Sequence, residues 1–121
     1  MAGLLTCAAL AAAVPSGAQA AGAASELTLK RTVGGVSSSA SLSCDPAGGT
    51  HGHAQEACEL LARVNGDFKA LAPSAGVLCP SAGESVRVSV SGQWRGQRVF
   101  QEETFANDCE VVRRTGVLFA F

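Results

Sequence analysis

The chain has no tyrosine, one tryptophan and one methionine among 121 residues. So few aromatic rings leave little surface on which successive bases could stack. Neither charge is in excess: nine Lys and Arg stand against ten Asp and Glu, a net charge of −1, with the basic residues scattered rather than gathered in a run. Nucleic acid and an anionic membrane surface are thereby excluded as main partners. No serine sits in a Gly-x-Ser-x-Gly setting and the only histidines share one loop, His51-Gly52-His53. A hydrolase would need a nucleophile, a base and an orienting acid brought into one cleft, and nothing in the chain announces them. No two cysteines have the close spacing of zinc ligands. His51 and His53, with Asp45 nearby in a glycine-rich loop, read as solvent-exposed and unoccupied, because a metal site wants three or four fixed ligands. No metal, no cofactor and no enzymatic activity are expected.

What is present begins with an uncharged leader. Met1 to Ala20 carries an apolar run from Leu4 to Val14, then Pro15, Ser16 and Gly17, then the small-residue site Ala18-Gln19-Ala20. The run is too short to span a bilayer, so residues 1–20 read as a secretory signal cut after Ala20, although the usual basic start is missing. A lipoprotein signal ending at Cys7 is the weaker reading, because the apolar run would then fall mostly after the cleavage point. Residues 21–121 remain, about 100 residues and one ordinary domain. Its cysteines are Cys44, Cys58, Cys79 and Cys109. In an exported protein these form two bridges, for which three connectivities exist. Pairing neighbours along the chain would remove on the order of 3 kcal/mol of unfolded-state entropy per bridge.

The coarse pattern is α+β. Glu26 to Val33 alternates as a strand, Gly34-Gly35 breaks it, and Val36 to Cys44 returns as a half-buried second strand. His53 to Val64 switches to helical spacing, with Ala57, Cys58, Leu60, Leu61 and Val64 on one face, and Asn65-Gly66 ends it. Val86, Val88 and Val90 alternate with polar residues in a third strand. Ser91-Gly92 is expected to turn the chain into a fourth strand around Trp94 to Phe100. Glu102 to Cys109 reads as a short helical turn carrying Phe105, and Val117 to Phe121 as a closing apolar strand. The expected architecture is an antiparallel sheet of about five strands with one main helix and a short second helix. Trp94 reads as core. Asn107 either caps the turn before Cys109 or braces a neighbouring loop.

One segment stands apart: Ala72-Pro73-Ser74-Ala75-Gly76-Val77-Leu78-Cys79-Pro80-Ser81-Ala82-Gly83 is rich in turn formers yet holds a cysteine. A bridge there would fix a loop that composition alone leaves mobile. In isolation that bridge reads as a structural staple. Taken with Cys44-Asp45-Pro46-Ala47-Gly48-Gly49-Thr50-His51, Gly92-Gln93-Trp94-Arg95-Gly96, Asn107-Asp108-Cys109-Glu110 and the terminal Phe119-Ala120-Phe121, it resembles the Streptomyces subtilisin inhibitor family over nearly all of residues 21–121.

The resemblance implies a secreted, extracellular inhibitor of serine proteases whose sheet carries helices on one face. It also implies bridges Cys44 to Cys58 and Cys79 to Cys109 and a homodimer formed through the sheet. It places the reactive bond between Ser81 and Ala82, two residues past the loop cysteine, with Leu78, Cys79, Pro80 and Gly83 as reactive-loop contacts and Asn107 as loop support. The primary residue Ser81 is small, which points to subtilisin-like or elastase-like proteases and away from trypsin-like ones. Gly83 is expected to add freedom to the loop. The alternative function is a secreted, disulfide-stabilised binding module without inhibitory activity. An inhibitor must leave Ser81 and Ala82 exposed and anchored; a binding module need not.

Overall fold

The computed structural model describes residue 3 and residues 24–121. The leader over residues 1–20, with Cys7, lies outside the described residues apart from Gly3. In chain order the elements are β1 (Ser25–Val33), β2 (Val36–Cys44), α1 (Ala54–Arg63), a 3-10 turn (Phe68–Ala70), β3 (Val86–Trp94), β4 (Gln97–Phe105) and α2 (Asp108–Thr115). The strands form one antiparallel sheet in the order β2-β1-β3-β4.

Period-2 alternation sends Leu27 and Leu29 of β1, Ala40 and Leu42 of β2, and Val86, Val88 and Val90 of β3 into the interior. Ala57 and Leu61 of α1 and Val111 of α2 meet them there, with Phe68, Leu118 and Phe119 completing one core. Each fully buried Leu, Val or Phe contributes roughly 1.5–3 kcal/mol. The bridge Cys44–Cys58 bolts α1 to the end of β2, and Cys79–Cys109 joins the segment before β3 to α2.

The sheet has four strands rather than about five, and three boundaries differ from those expected. β3 runs through Ser91-Gly92 to Trp94, and the hairpin turns at Arg95-Gly96, both with left-handed φ of 47° and 84°. Gly92 is needed inside the strand because a Cβ there would lie 2.2 Å from the Glu26 carbonyl oxygen across the ladder. β4 continues to Phe105, so the helical turn expected over Glu102 to Cys109 is strand first, then a helix that starts at Asp108. Gln101 and Glu103 on the inward-facing alternation of β4 hide its period from a hydrophobicity pattern.

Val117–Phe121 is not a strand. Gly116, with φ 60°, ends α2, and Leu118 and Ala120 donate to the carbonyls three residues back. The tail satisfies its backbone locally and docks by aromatic contact, Phe119 on Phe68 and Phe121 on His51, with ring centroids 5.4 and 5.7 Å apart. An apolar run of five cannot be told from such a docked tail by periodicity. His51, expected at the surface, is buried. Its Nδ1 accepts from the His53 amide at 2.9 Å, which makes Nε2 the protonated nitrogen that donates to the Leu118 carbonyl at 2.8 Å. Among the described residues no three His, Cys, Asp or Glu side chains converge as a metal site.

Candidate functional site

Between the 3-10 turn and β3 the chain runs from Ala72 to Ser85 without a helix or strand, and every residue except half-buried Cys79 is exposed. Leu71 is buried at its start and Val86 at its end. Leu78 stands 93% exposed and Val77 38%, so the loop presents one large apolar side chain fully to solvent.

Three ties hold the loop to α2. Ser74 donates its amide to the Arg113 carbonyl at 2.8 Å. Cys79 is bonded to Cys109 in the first turn of the helix, with Cα atoms 5.6 Å apart. The third is Asn107, buried at the helix N-cap, whose Oδ1 accepts from the Glu110 amide at 2.9 Å. That bond is an N-cap of the usual kind and fixes the side-chain rotamer. With Oδ1 so committed, Nδ2 points into the loop and donates to the Pro80 carbonyl at 2.8 Å and the Ala82 carbonyl at 3.1 Å. The two readings of Asn107, cap and brace, are both realised by one amide.

The two braced carbonyls belong to the residues either side of Ser81, so the Ser81–Ala82 peptide is pinned at both ends while its side chains remain exposed. Gly83 follows with φ 138°, where an L side chain is strained, and a Cβ there would lie 2.8 Å from Asn107 Cβ. Rather than adding slack, glycine at this position lets the loop backbone close onto its brace. Leu78, Cys79, Pro80, Ser81, Ala82, Gly83 and Asn107 are thus brought into one loop and its support, while Cys44–Cys58 sits apart on β2 and α1. Arg31, whose guanidinium meets Asp108, was not marked by any sequence signal. A lone arginine in a strand carries none.

Chemically, the loop offers a pinned, solvent-facing peptide bond with the exposed apolar side chain of Leu78 upstream. A family model described as subtilisin inhibitor-like matches residues 8–107. Subtilisin inhibitor-like protein 4 of Streptomyces lavendulae is 43% identical over 101 residues, 83% of this chain and 81% of its own length. The subtilisin inhibitor of Streptomyces albogriseolus is 42% identical over 81 residues, 66% of this chain; the match spans just over half of that relative, 56%. Among solved structures, sermetstatin of Streptomyces caespitosus, crystallised in complex with Bacillus licheniformis subtilisin, superposes with a TM-score of 0.67 at 27% identity, covering 81% of this chain and 99% of that one.

Proposed function

The chain belongs to the subtilisin inhibitor-like family, a family of protease inhibitors rather than enzymes, and from that premise we propose that it inhibits subtilisin-like serine proteases by presenting the Ser81–Ala82 bond as a substrate that is held after it is cut. The observation that carries this reading is the double hydrogen bond from Asn107 to the carbonyls flanking Ser81.

The mechanism follows from that geometry. The segment Val77 to Ser81 adds to the edge of a protease's cleft as an extended strand, with Leu78 entering an apolar subsite and Ser81 the primary pocket. Pro80 restricts φ and Cys79 is covalently tied, so little chain entropy is lost on docking. The protease's serine attacks the Ser81 carbonyl, an ester forms, the Ser81–Ala82 bond breaks and the Ala82 amine is released as leaving group. In an ordinary substrate that amine diffuses away and water takes its place. Here the brace on the Ala82 carbonyl and the turn at Gly83 keep the amine beside the ester, so it re-forms the peptide faster than water hydrolyses the acyl-enzyme.

A small Ser81 suits a shallow or permissive primary pocket, which extends the target range to elastase-like proteases and excludes the trypsin class. The two bridges fit an oxidising, extracellular compartment, with residues 1–20 as the signal removed on export and residues 21–121 as the inhibitor domain. The sheet face away from the helices carries Lys30, Arg87 and Glu102 around Phe100, which is 70% exposed. A ring at that exposure ringed by both charges suits a second copy of the same face, and the homodimer forms there.

The test is titration of the oxidised protein against subtilisin, elastase, chymotrypsin and trypsin, following residual activity and cleavage of the loop over hours. Stoichiometric inhibition of subtilisin with slow cutting at Ser81–Ala82, abolished by Ser81→Pro, is the expected result. Indifference of all four enzymes, or rapid cleavage, overturns it and leaves a binding module.

A further inference from the structure

Asn107 and Cys109, the two ties nearest the Ser81–Ala82 peptide, are separated by Asp108, whose Oδ1 accepts from Arg31 Nη2 at 2.5 Å. Arg31 belongs to β1, an interior strand of the sheet between β2 and β3. It follows Leu27 and Leu29 on the alternation that faces the helices and pairs with Ser38 and Val88 on its neighbours. Its side chain is only 23% exposed and its Nε is buried without a hydrogen-bond partner. Among the described residues Asp108 is the acidic group at ion-pair distance from it. A guanidinium in that position is held toward one point on α2.

The first turn of α2 needs such a hold. Its first core side chain is Val111; Asp108 is exposed, and Cys109 and Glu110 are only half-buried. Everything that pins the Ser81–Ala82 peptide hangs from this turn, so any rocking of the helix start moves the brace and the bridge together. We propose that Arg31 is a positioning residue for the reactive bond, fixing the start of α2 to the sheet through Asp108 so that the cut loop stays in register for religation. The inference rests on the inhibitor reading above.

Arg31→Met leaves the folded state nearly as stable, because it removes the half-buried guanidinium and the Asp108 carboxylate that loses its partner is 60% exposed and stays solvated. Religation is more demanding than folding, since small displacements of reacting groups cost large factors in rate. Loss of the pair therefore shows in the fate of the complex before it shows in the melting curve.

The experiment compares the oxidised protein with Arg31→Met, Asp108→Asn, the double variant and the exchange Arg31→Asp with Asp108→Arg. For each, the inhibition constant against subtilisin, the first-order rate of cleavage at Ser81–Ala82 in the complex and Tm are measured. The expected result is cleavage faster by roughly tenfold in either single variant, a double variant no worse than the singles, recovery in the exchange, and Tm lowered by a few degrees at most. Variants that are cut at the unsubstituted rate, or that speed up only in proportion to lost Tm, overturn the role of Arg31 while leaving inhibition intact. An unsubstituted protein that fails to inhibit, or is itself cut rapidly, overturns the inhibitor reading and this inference with it.

Discussion

Asn107→Ser separates the two jobs of one side chain. Serine ranks with asparagine at an N-cap, so the bond now made by Oδ1 to the Glu110 amide at 2.9 Å has a replacement acceptor. What serine lacks is the reach and the second donor hydrogen needed for the Pro80 and Ala82 carbonyls at 2.8 and 3.1 Å. Both carbonyls belong to exposed residues, so water takes over and each lost bond costs its net value of about 1 kcal/mol rather than a full desolvation penalty. Two such bonds come to about 2 kcal/mol, or roughly a thirtyfold rise in the inhibition constant. By the same conversion the two lost loop bonds lower Tm by roughly 8–16 °C, and Asn107→Ala, which removes the cap as well, lowers it further by about 4–8 °C for the additional ~1 kcal/mol. The assay is inhibition of subtilisin beside thermal unfolding of the three proteins, with the cut loop quantified by mass spectrometry. A folded Asn107→Ser protein that inhibits as tightly as the parent and is cut no faster refutes the brace.

Gly83→Ala forces a side chain into φ 138° with its Cβ 2.8 Å from Asn107 Cβ, a strain of about 1–3 kcal/mol that appears as accelerated loop cleavage; unchanged cleavage would mean the loop relaxes freely. Ser81→Leu adds apolar volume worth about 0.8 kcal/mol per methylene, so affinity for chymotrypsin should rise by at least roughly tenfold in enzyme titration, and Ser81→Lys should turn the protein toward trypsin. Replacing Cys79 and Cys109 together by Ala opens a bridge with a sequence separation of 30 and costs about 3–4 kcal/mol by the chain-entropy model, with the inhibitor becoming a fast substrate. Phe100→Glu should convert a dimer to a monomer in sedimentation while leaving subtilisin inhibition in place.

The elements legible in the sequence were those whose signal is local. The alternation in β1 and β2, the glycine pair between them and the helical face holding Ala57 and Leu61 can each be read from a dozen residues, and they stand where the pattern puts them. The differences arise where a residue's role depends on something distant in sequence. Gly92 looks like a turn, yet it is a strand residue spared a collision with Glu26. Gly83 looks like slack, yet the partner that requires it to be glycine is Asn107, brought beside it by a bridge and a helix. The terminal Phe-Ala-Phe looks like a strand, yet the backbone bonds that satisfy it are set by Gly116 and its rings by Phe68 and His51. The loop itself was legible because Cys79 and Pro80 stand out against a small-residue background; Arg31 was not, because an ion pair across 77 residues leaves no pattern in either segment.

Asn107, Asp108 and Cys109 are consecutive, and each points at a different part of the molecule: the loop backbone, the sheet and the loop's own cysteine. The helix they open is eight residues long, too short to be stable without its cap and its packing. The order of the loop around Ser81 is therefore borrowed from the core through the first turn of this helix, and the Ser81 side chain itself is left exposed. The Ser81 side chain is exposed, so on the inhibitor reading proposed above substitutions there should change which protease is held without changing how firmly the cut ends are kept together. Substitutions in the 107–109 turn should do the reverse. On that reading specificity and retention are separable, and the two groups of variants should fall on different axes when inhibition constant is plotted against cleavage rate: position 81 moving the first across enzymes, the helix start moving the second for all of them.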